Sequence, residues 1–152
     1  MKKSMLYILL LSALFLYPVQ GEDVGKLIPV ELVHLSRDGD QIIIATDTEA
    51  AGSGQTVDAA LENLKATAAG IVFLDTADYL LIDESAASEV VALKKHLKAS
   101  VRVCELAGDL ELKEAAVYLA VHGPETKLRE YREDADIEKL TVVNGRILLK
   151  EN

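Results

Sequence analysis

Residues 140–149, Leu140-Thr141-Val142-Val143-Asn144-Gly145-Arg146-Ile147-Leu148-Leu149, place Asn-Gly between two runs of strand-forming residues. Both loop residues of a tight two-residue hairpin take positive φ, which Asn and Gly accept at little cost. The stretch therefore predicts an antiparallel hairpin near the end of the chain. A second hairpin is predicted near its start. Leu27 to Leu35 has the β-branched content and alternation of a strand, with Pro29 near its beginning, where a missing donor is tolerated. Arg37-Asp38-Gly39-Asp40 supplies the turn, and Gln41 to Thr46 reads as the returning strand.

Helices and further strands lie between the hairpins. Gly52-Ser53-Gly54-Gln55 reads as a flexible connection into a helix capped by Thr56, whose apolar stripe is Val57, Ala60, Leu61 and Leu64. Ala69-Gly70 ends it. Ile71 to Leu74 and Tyr79 to Ile82 are short apolar runs around an Asp75-Thr76-Ala77-Asp78 turn. A second helix is predicted from a Ser85 cap, with Ala86, Val90, Leu93 and Leu97 as its stripe and Lys94, Lys95, His96 and Lys98 opposing the dipole at its end. Val101 to Cys104 alternates like a strand. A third helix starts at Gly108-Asp109, carries Leu112, Ala115, Ala116 and Leu119 on one face, and stops at His122-Gly123-Pro124. Thr126 to Glu133 is charged and reads as weakly helical. The order β-β-α-β-β-α-β-α-β-β predicts an α+β fold: one domain, a mixed β-sheet with about three covering helices, and hairpins at both ends.

The first twenty-one residues of the sequence, 1–21, have the layout of an export signal. Lys2 and Lys3 precede an apolar run from Met5 to Tyr17, Pro18 breaks it, and Val19 and Gly21 put small residues before an expected cleavage at Glu22. The run is shorter than the roughly 20 residues that span a bilayer as a helix. The segment therefore reads as a signal peptide, and 22–152 as a single domain, secreted or held at the outer face of the cytoplasmic membrane. No cysteine lies at or just after the cleavage region, so no direct lipid anchor is expected there.

The chain carries a formal charge of −9, and its leader holds two of the lysines, so the exported part is more acidic still. Such an excess repels phosphate backbones, and no nucleic-acid partner is expected. Cys104 is the only cysteine, so the fold rests on its core rather than on disulfides, and the thiol reads as buried and inert.

No constellation for chemistry emerges. His34, His96 and His122 lie in three different elements without zinc-ligand spacing. Gly52-Ser53-Gly54 lacks the endings of a phosphate loop and the spacing of a nucleophile elbow. Asp75, Asp78, Asp83 and Glu84 do not follow a calcium loop and serve as turn and cap residues. Tyr79, Tyr118 and Tyr131 are too scattered for a sugar-stacking platform. No catalytic, cofactor-binding or metal residue is assigned, and no cofactor is expected.

Gly54-Gln55-Thr56-Val57-Asp58-Ala59-Ala60-Leu61-Glu62-Asn63-Leu64, followed by Ile71-Val72-Phe73-Leu74 and Tyr79-Leu80-Leu81-Ile82-Asp83-Glu84-Ser85-Ala86-Ala87, resembles the N-terminal domain of the Ger(x)C family. These are the C subunits of spore germinant receptors in spore-forming Firmicutes. The Gly-rich entry, the Ala-Leu helix, the strand pair ending in a hydrophobic-Ile-Gly/Asp-Glu motif and the next helix occur in the family's order, and Val30 to Thr46 fits its opening strands. The resemblance implies a non-enzymatic exported domain, related to spore germination, that works through contacts with a protein of the membrane or envelope. It carries over no functional residue. A different class of function, an exported hydrolase, would need the carboxylates of Asp75, Asp78 and Asp83 to converge. The expected mature N-terminus is Glu22: N-terminal sequencing of the fractionated protein checks this, and Met1 retained in a membrane fraction would overturn it.

Overall fold

The computed structural model describes residues 24–151, so the leader lies outside the described residues. The first predicted strand is two strands, β1 (Leu27–Pro29) and β2 (Leu32–Asp38). Pro29 has no N–H to continue a ladder. The backbone beyond it turns to side chains instead: Val30 N–H donates to Thr76 Oγ1 at 2.9 Å, and the Glu31 and Leu32 N–H groups share Asp47 Oδ1 at 3.2 and 3.1 Å.

β2 turns into β3 (Gln41–Thr46) through Gly39, whose φ of 57° takes the first of the two loop positions. The predicted glycine-rich connection is also a strand, β4 (Ala51–Gly54), paired antiparallel with β3. Its glycines are there for proximity rather than flexibility. A Cβ on Gly52 would lie 2.2 Å from Leu64 N and 2.3 Å from Ala60 O, in the backbone of the following helix. That helix, α1 (Val57–Thr67), is capped by Thr56, which accepts the Ala59 N–H at 3.2 Å, and it buries the expected Val57, Ala60, Leu61 and Leu64.

β5 (Ile71–Phe73) pairs in parallel with β1 as a small separate sheet. β6 (Tyr79–Ile82) follows, buried at all four positions. The predicted second helix is a composite: a 3-10 segment Glu84–Glu89, one α turn, α2 (Val90–Leu93), and a 3-10 turn Lys94–His96. Its stripe of Ala86, Val90, Leu93 and Leu97 is buried as expected. Ser85 does not cap it. Asp83 holds that position, and its carboxylate is engaged by His34 instead of by the helix N–H groups. β7 (Arg102–Ala107), α3 (Leu112–His122) and the hairpin β8 (Lys139–Val143) to β9 (Arg146–Lys150) complete the chain. Asn144 and Gly145 both take positive φ, 51° and 73°, as the hairpin reading requires.

The large sheet has the order β4-β3-β2-β6-β7-β8-β9, with β2, β6, β7 and β8 parallel and the outer pairings antiparallel. The described residues thus form a single-domain α+β fold with a mixed sheet and three helices. α1 and α2 cover one face, against Val33, Leu35, Ile42, Ile44, Leu80, Ile82 and Val103. α3 covers the other, against Leu32, Tyr79, Leu81, Cys104, Leu106 and Leu140. The connections β6-α2-β7 and β7-α3-β8 step the same way across the sheet, with α2 on one face and α3 on the other.

Residues 126–133, expected as a weak helix, are irregular. Their backbone extends the ladder of β7 instead: Val103 N–H donates to Thr126 O at 2.8 Å and Leu128 N–H to Val101 O at 2.7 Å. Leu128, Tyr131 and Ile137 then fold onto the face covered by α1 and α2. Glu138 holds this excursion closed, accepting the Glu125 N–H at 2.7 Å and the Thr126 hydroxyl at 2.9 Å. Burial pushes the Glu138 carboxyl up, but the backbone and hydroxyl donors together outweigh it and hold the group below its ordinary value.

Two outcomes follow for stability. Gly52→Ala must move backbone apart, and we expect a loss toward the upper end of about 1–3 kcal/mol in urea unfolding; an unchanged midpoint would refute the close-packing account. A carboxyl with a lowered folded pKa stabilises above its unfolded pKa, and that contribution is lost as pH falls through the folded value. Glu138→Gln should therefore lower the urea midpoint at pH 7, by about 1 kcal/mol after allowing for solvent screening, with the deficit closing as the pH drops through the carboxylate range. A pH-independent deficit would contradict this.

Candidate functional site

The three histidines are tied into the fold. His34 Nε2 lies 2.8 Å from Asp83 Oδ1, linking β2 to the end of β6. His96 Nε2 lies 2.8 Å from Asp58 Oδ1, and Lys95 Nζ lies 3.0 Å from Asp58 Oδ2, fastening the end of the composite helix to the start of α1. Hydrogen bonds from Lys95 and His96 hold the Asp58 carboxyl below its usual value. His122 ends α3 with its ring 4.9 Å from that of Tyr118. Among the described residues, no group of three or more His, Cys, Asp or Glu is arranged to hold a metal ion. Cys104 is fully buried, and burial, with a smaller contribution from the Glu138 charge, pushes its thiol up to about 12. It is not a nucleophile at neutral pH.

The carboxylates do not gather. Asp78 and Asp83 flank β6 at opposite ends, about 16 Å apart along an extended chain. Asp75 lies in the 3-10 turn before Asp78, and Glu84 begins the composite helix beyond Asp83. The tyrosines are likewise dispersed: Tyr79 lies under Arg102, Tyr131 under Lys94, and Tyr118 reaches the last strand.

What the structure does assemble is an apolar surface at α3 and the C-terminal hairpin. Val117 and Val121, one helical turn apart on α3, are 68% and 74% exposed. At 100° per residue they point away from the buried side formed by Ala115, Ala116 and Leu119. Val117, Tyr118 and Ile147 line a groove of about 500 Å³ between α3 and β9, with Glu111, Lys113 and Glu114 along its rim. Val142, Val143 and Leu148 add exposed aliphatic area on the hairpin. By strand alternation Val142 lies on the α3 side of the hairpin, and Val143 and Leu148 on the other side. The sequence carried the signal for this: an aliphatic pair in α3 out of phase with the stripe that builds the core.

The two outer strands of the large sheet differ. On β4, the outward Ser53 N–H donates to Asn63 Oδ1 at 3.1 Å, and the outward Ala51 carbonyl accepts the Thr67 hydroxyl at 3.1 Å, both from α1. That edge is partly covered by its own helix. On β9, the two-residue loop makes Val143 and Arg146 the closing hydrogen-bonded pair, so the alternation directs the backbone groups of Ile147 and Leu149 outward. One cap is present there: Leu149 N–H donates to Tyr118 Oη at 3.2 Å. β9 is otherwise an open edge beside an apolar groove.

No helix among the described residues is long and apolar enough to cross a membrane. Compared with known proteins, the chain matches no family model, no curated protein and no solved structure.

Proposed function

We infer that this chain is an exported, non-catalytic interaction domain whose binding side is the outer face of α3 together with the C-terminal hairpin. One observation carries the reading: the exposed Val117, with Val121 one turn further along α3, shares a groove with Ile147 of the outermost strand, β9. A domain built only for solubility has no use for that combination, because an open edge beside apolar surface invites association. The partner is a protein of the membrane or cell envelope, in keeping with the export signal and with the resemblance to the Ger(x)C family, which would connect the contact to spore germination. The alternative, an exported hydrolase working through Asp75, Asp78 and Asp83, has no converging carboxylates to support it.

Site-specific photo-cross-linking in intact cells tests the reading. Val91 lies on α2, against the opposite face of the sheet, and is 67% exposed, so it serves as a control of matched chemistry. A photoreactive residue at position 121 should trap one discrete envelope protein, and the same residue at position 91 should trap none. Equal labelling from both positions, or none from position 121, would overturn the assignment.

A further inference from the structure

We propose that β9 is a strand-addition edge for an extended partner segment with the pattern carboxylate-x-apolar-x-carboxylate, and that Tyr118 is the removable cap on that edge. The inference rests on the reading of this side as an interaction surface and names the chemistry of the partner.

Edge polarity comes first. Of the four outward backbone groups of Ala51 and Ser53 on β4, α1 satisfies two, through Asn63 and Thr67, whereas β9 offers the four of Ile147 and Leu149 with a single cap from Tyr118. An added strand would take up these groups by main-chain hydrogen bonding, with side-chain pockets at alternate positions setting its preference.

Charge comes second. The hairpin, residues 139–150, contains Lys139, Arg146 and Lys150 and no acidic residue, in a chain of net charge −9. Lys139 is paired with Glu105 at 3.1 Å, but Arg146 and Lys150 are exposed and form no ion pair among the described residues. By strand alternation, Arg146, Leu148 and Lys150 share one face of β9, while Ile147 and Leu149 face α3. Cross-strand neighbours of opposite charge stabilise a pair and like charges opposite each other destabilise it. An incoming strand therefore fits best with carboxylates opposite Arg146 and Lys150, an apolar residue opposite Leu148, and apolar residues between them turned toward Val117 and Ile147.

The same rule argues against a second copy of this chain. Antiparallel self-pairing centred on Leu148 uses the outward groups of Ile147 and Leu149 and sets Arg146 of each strand against Lys150 of the other.

Tyr118 makes the edge conditional. Its hydroxyl holds Leu149 N–H until a partner carbonyl replaces it, so a domain without a partner keeps one of the outward donors satisfied. Removing the hydroxyl should then improve binding, an effect that a purely apolar groove would not give.

The probe is the capped peptide acetyl-Ser-Glu-Ile-Val-Ile-Glu-Ser-amide, whose palindromic pattern presents the same pairs in either direction. Titrated into isotope-labelled protein, it should shift the backbone amide resonances of Ile147 to Leu149 and those around Tyr118. Tyr118→Phe should tighten binding about threefold to tenfold, the worth of one net hydrogen bond. Ile147→Pro removes an outward donor that β8 does not use, and should weaken binding at least about tenfold. Should that variant fail to fold, the double charge reversal Arg146→Glu with Lys150→Glu serves instead, and should transfer preference to the peptide with Lys in place of Glu. Equal binding of the Glu and Lys peptides, or binding indifferent to Tyr118→Phe and to the edge variants, would overturn the proposal. So would concentration-dependent dimers in sedimentation that Ile147→Pro abolishes, since a second copy would then occupy the edge. Failure of the peptide with continued cross-linking from position 121 would sink the strand-addition edge alone, whereas loss of both would sink the interaction reading as well.

Discussion

The structure depends on the burial of β6 on both faces. Tyr79, Leu80, Leu81 and Ile82 are all shielded from solvent, so a central strand of four apolar residues needs a cover on each side. Leu80 and Ile82 meet the core under α1 and α2, and Tyr79 and Leu81 meet the core under α3. A sheet of this kind cannot place all its helices on one face. The third helix has to lie opposite the first two, and the long return through residues 126–138 brings the chain back beside β7. Glu138 fastens that return, which gives its carboxylate a structural task close to the buried thiol of Cys104.

Much of this plan can be read from the sequence, for local reasons. The Asn144-Gly145 and Asp38-Gly39-Asp40 turns, the Thr56 cap and the stripe of Val57, Ala60, Leu61 and Leu64 depend on neighbours only a few residues away. The departures all involve partners distant in sequence. β4 is legible as a strand only once α1 is known to press on Gly52 and Gly54. The break at Val30 depends on Thr76 and Asp47, and the missing cap of the second helix on the claim that His34 makes on Asp83. Residues 126–133 have a helical composition, but the buried Leu128 and Tyr131 and two ladder bonds to β7 override it. Propensity loses in each place where a tertiary contact satisfies the backbone first.

The candidate site was legible only in part. A search for catalytic patterns looks at His, Cys, Asp and Glu, and here those residues are spent on joining elements: His34 to Asp83, His96 and Lys95 to Asp58, Lys139 to Glu105. The surface that stands out is aliphatic and backbone. Val117 and Val121 could be picked from their phase on α3, but the open edge of β9 could not. It emerges from the strand order, which sets β9 outermost, and from the hairpin register, which decides which amides point outward.

The contrast between the two edges is the strongest physical reason to treat the hairpin side as the working one. At β4, Asn63 and Thr67 of α1 reach over to satisfy two of the four outward groups. β9 receives one phenolic hydroxyl. An unprotected edge is a liability that proteins otherwise blunt with charge, bulges or cover. Arg146 and Lys150 supply some of that protection, because they repel a like-charged copy of the same strand, but the same two charges attract an acidic one. A device that resists self-association and welcomes a partner of opposite sign differs physically from simple edge protection, for which lysine on a strand without apolar neighbours would suffice. Here Ile147, Leu148 and Leu149 lie between the two cations, and the groove formed with Val117 and Tyr118 runs alongside. In the strand addition proposed here, the charges would supply selectivity and the aliphatic residues between them adhesion.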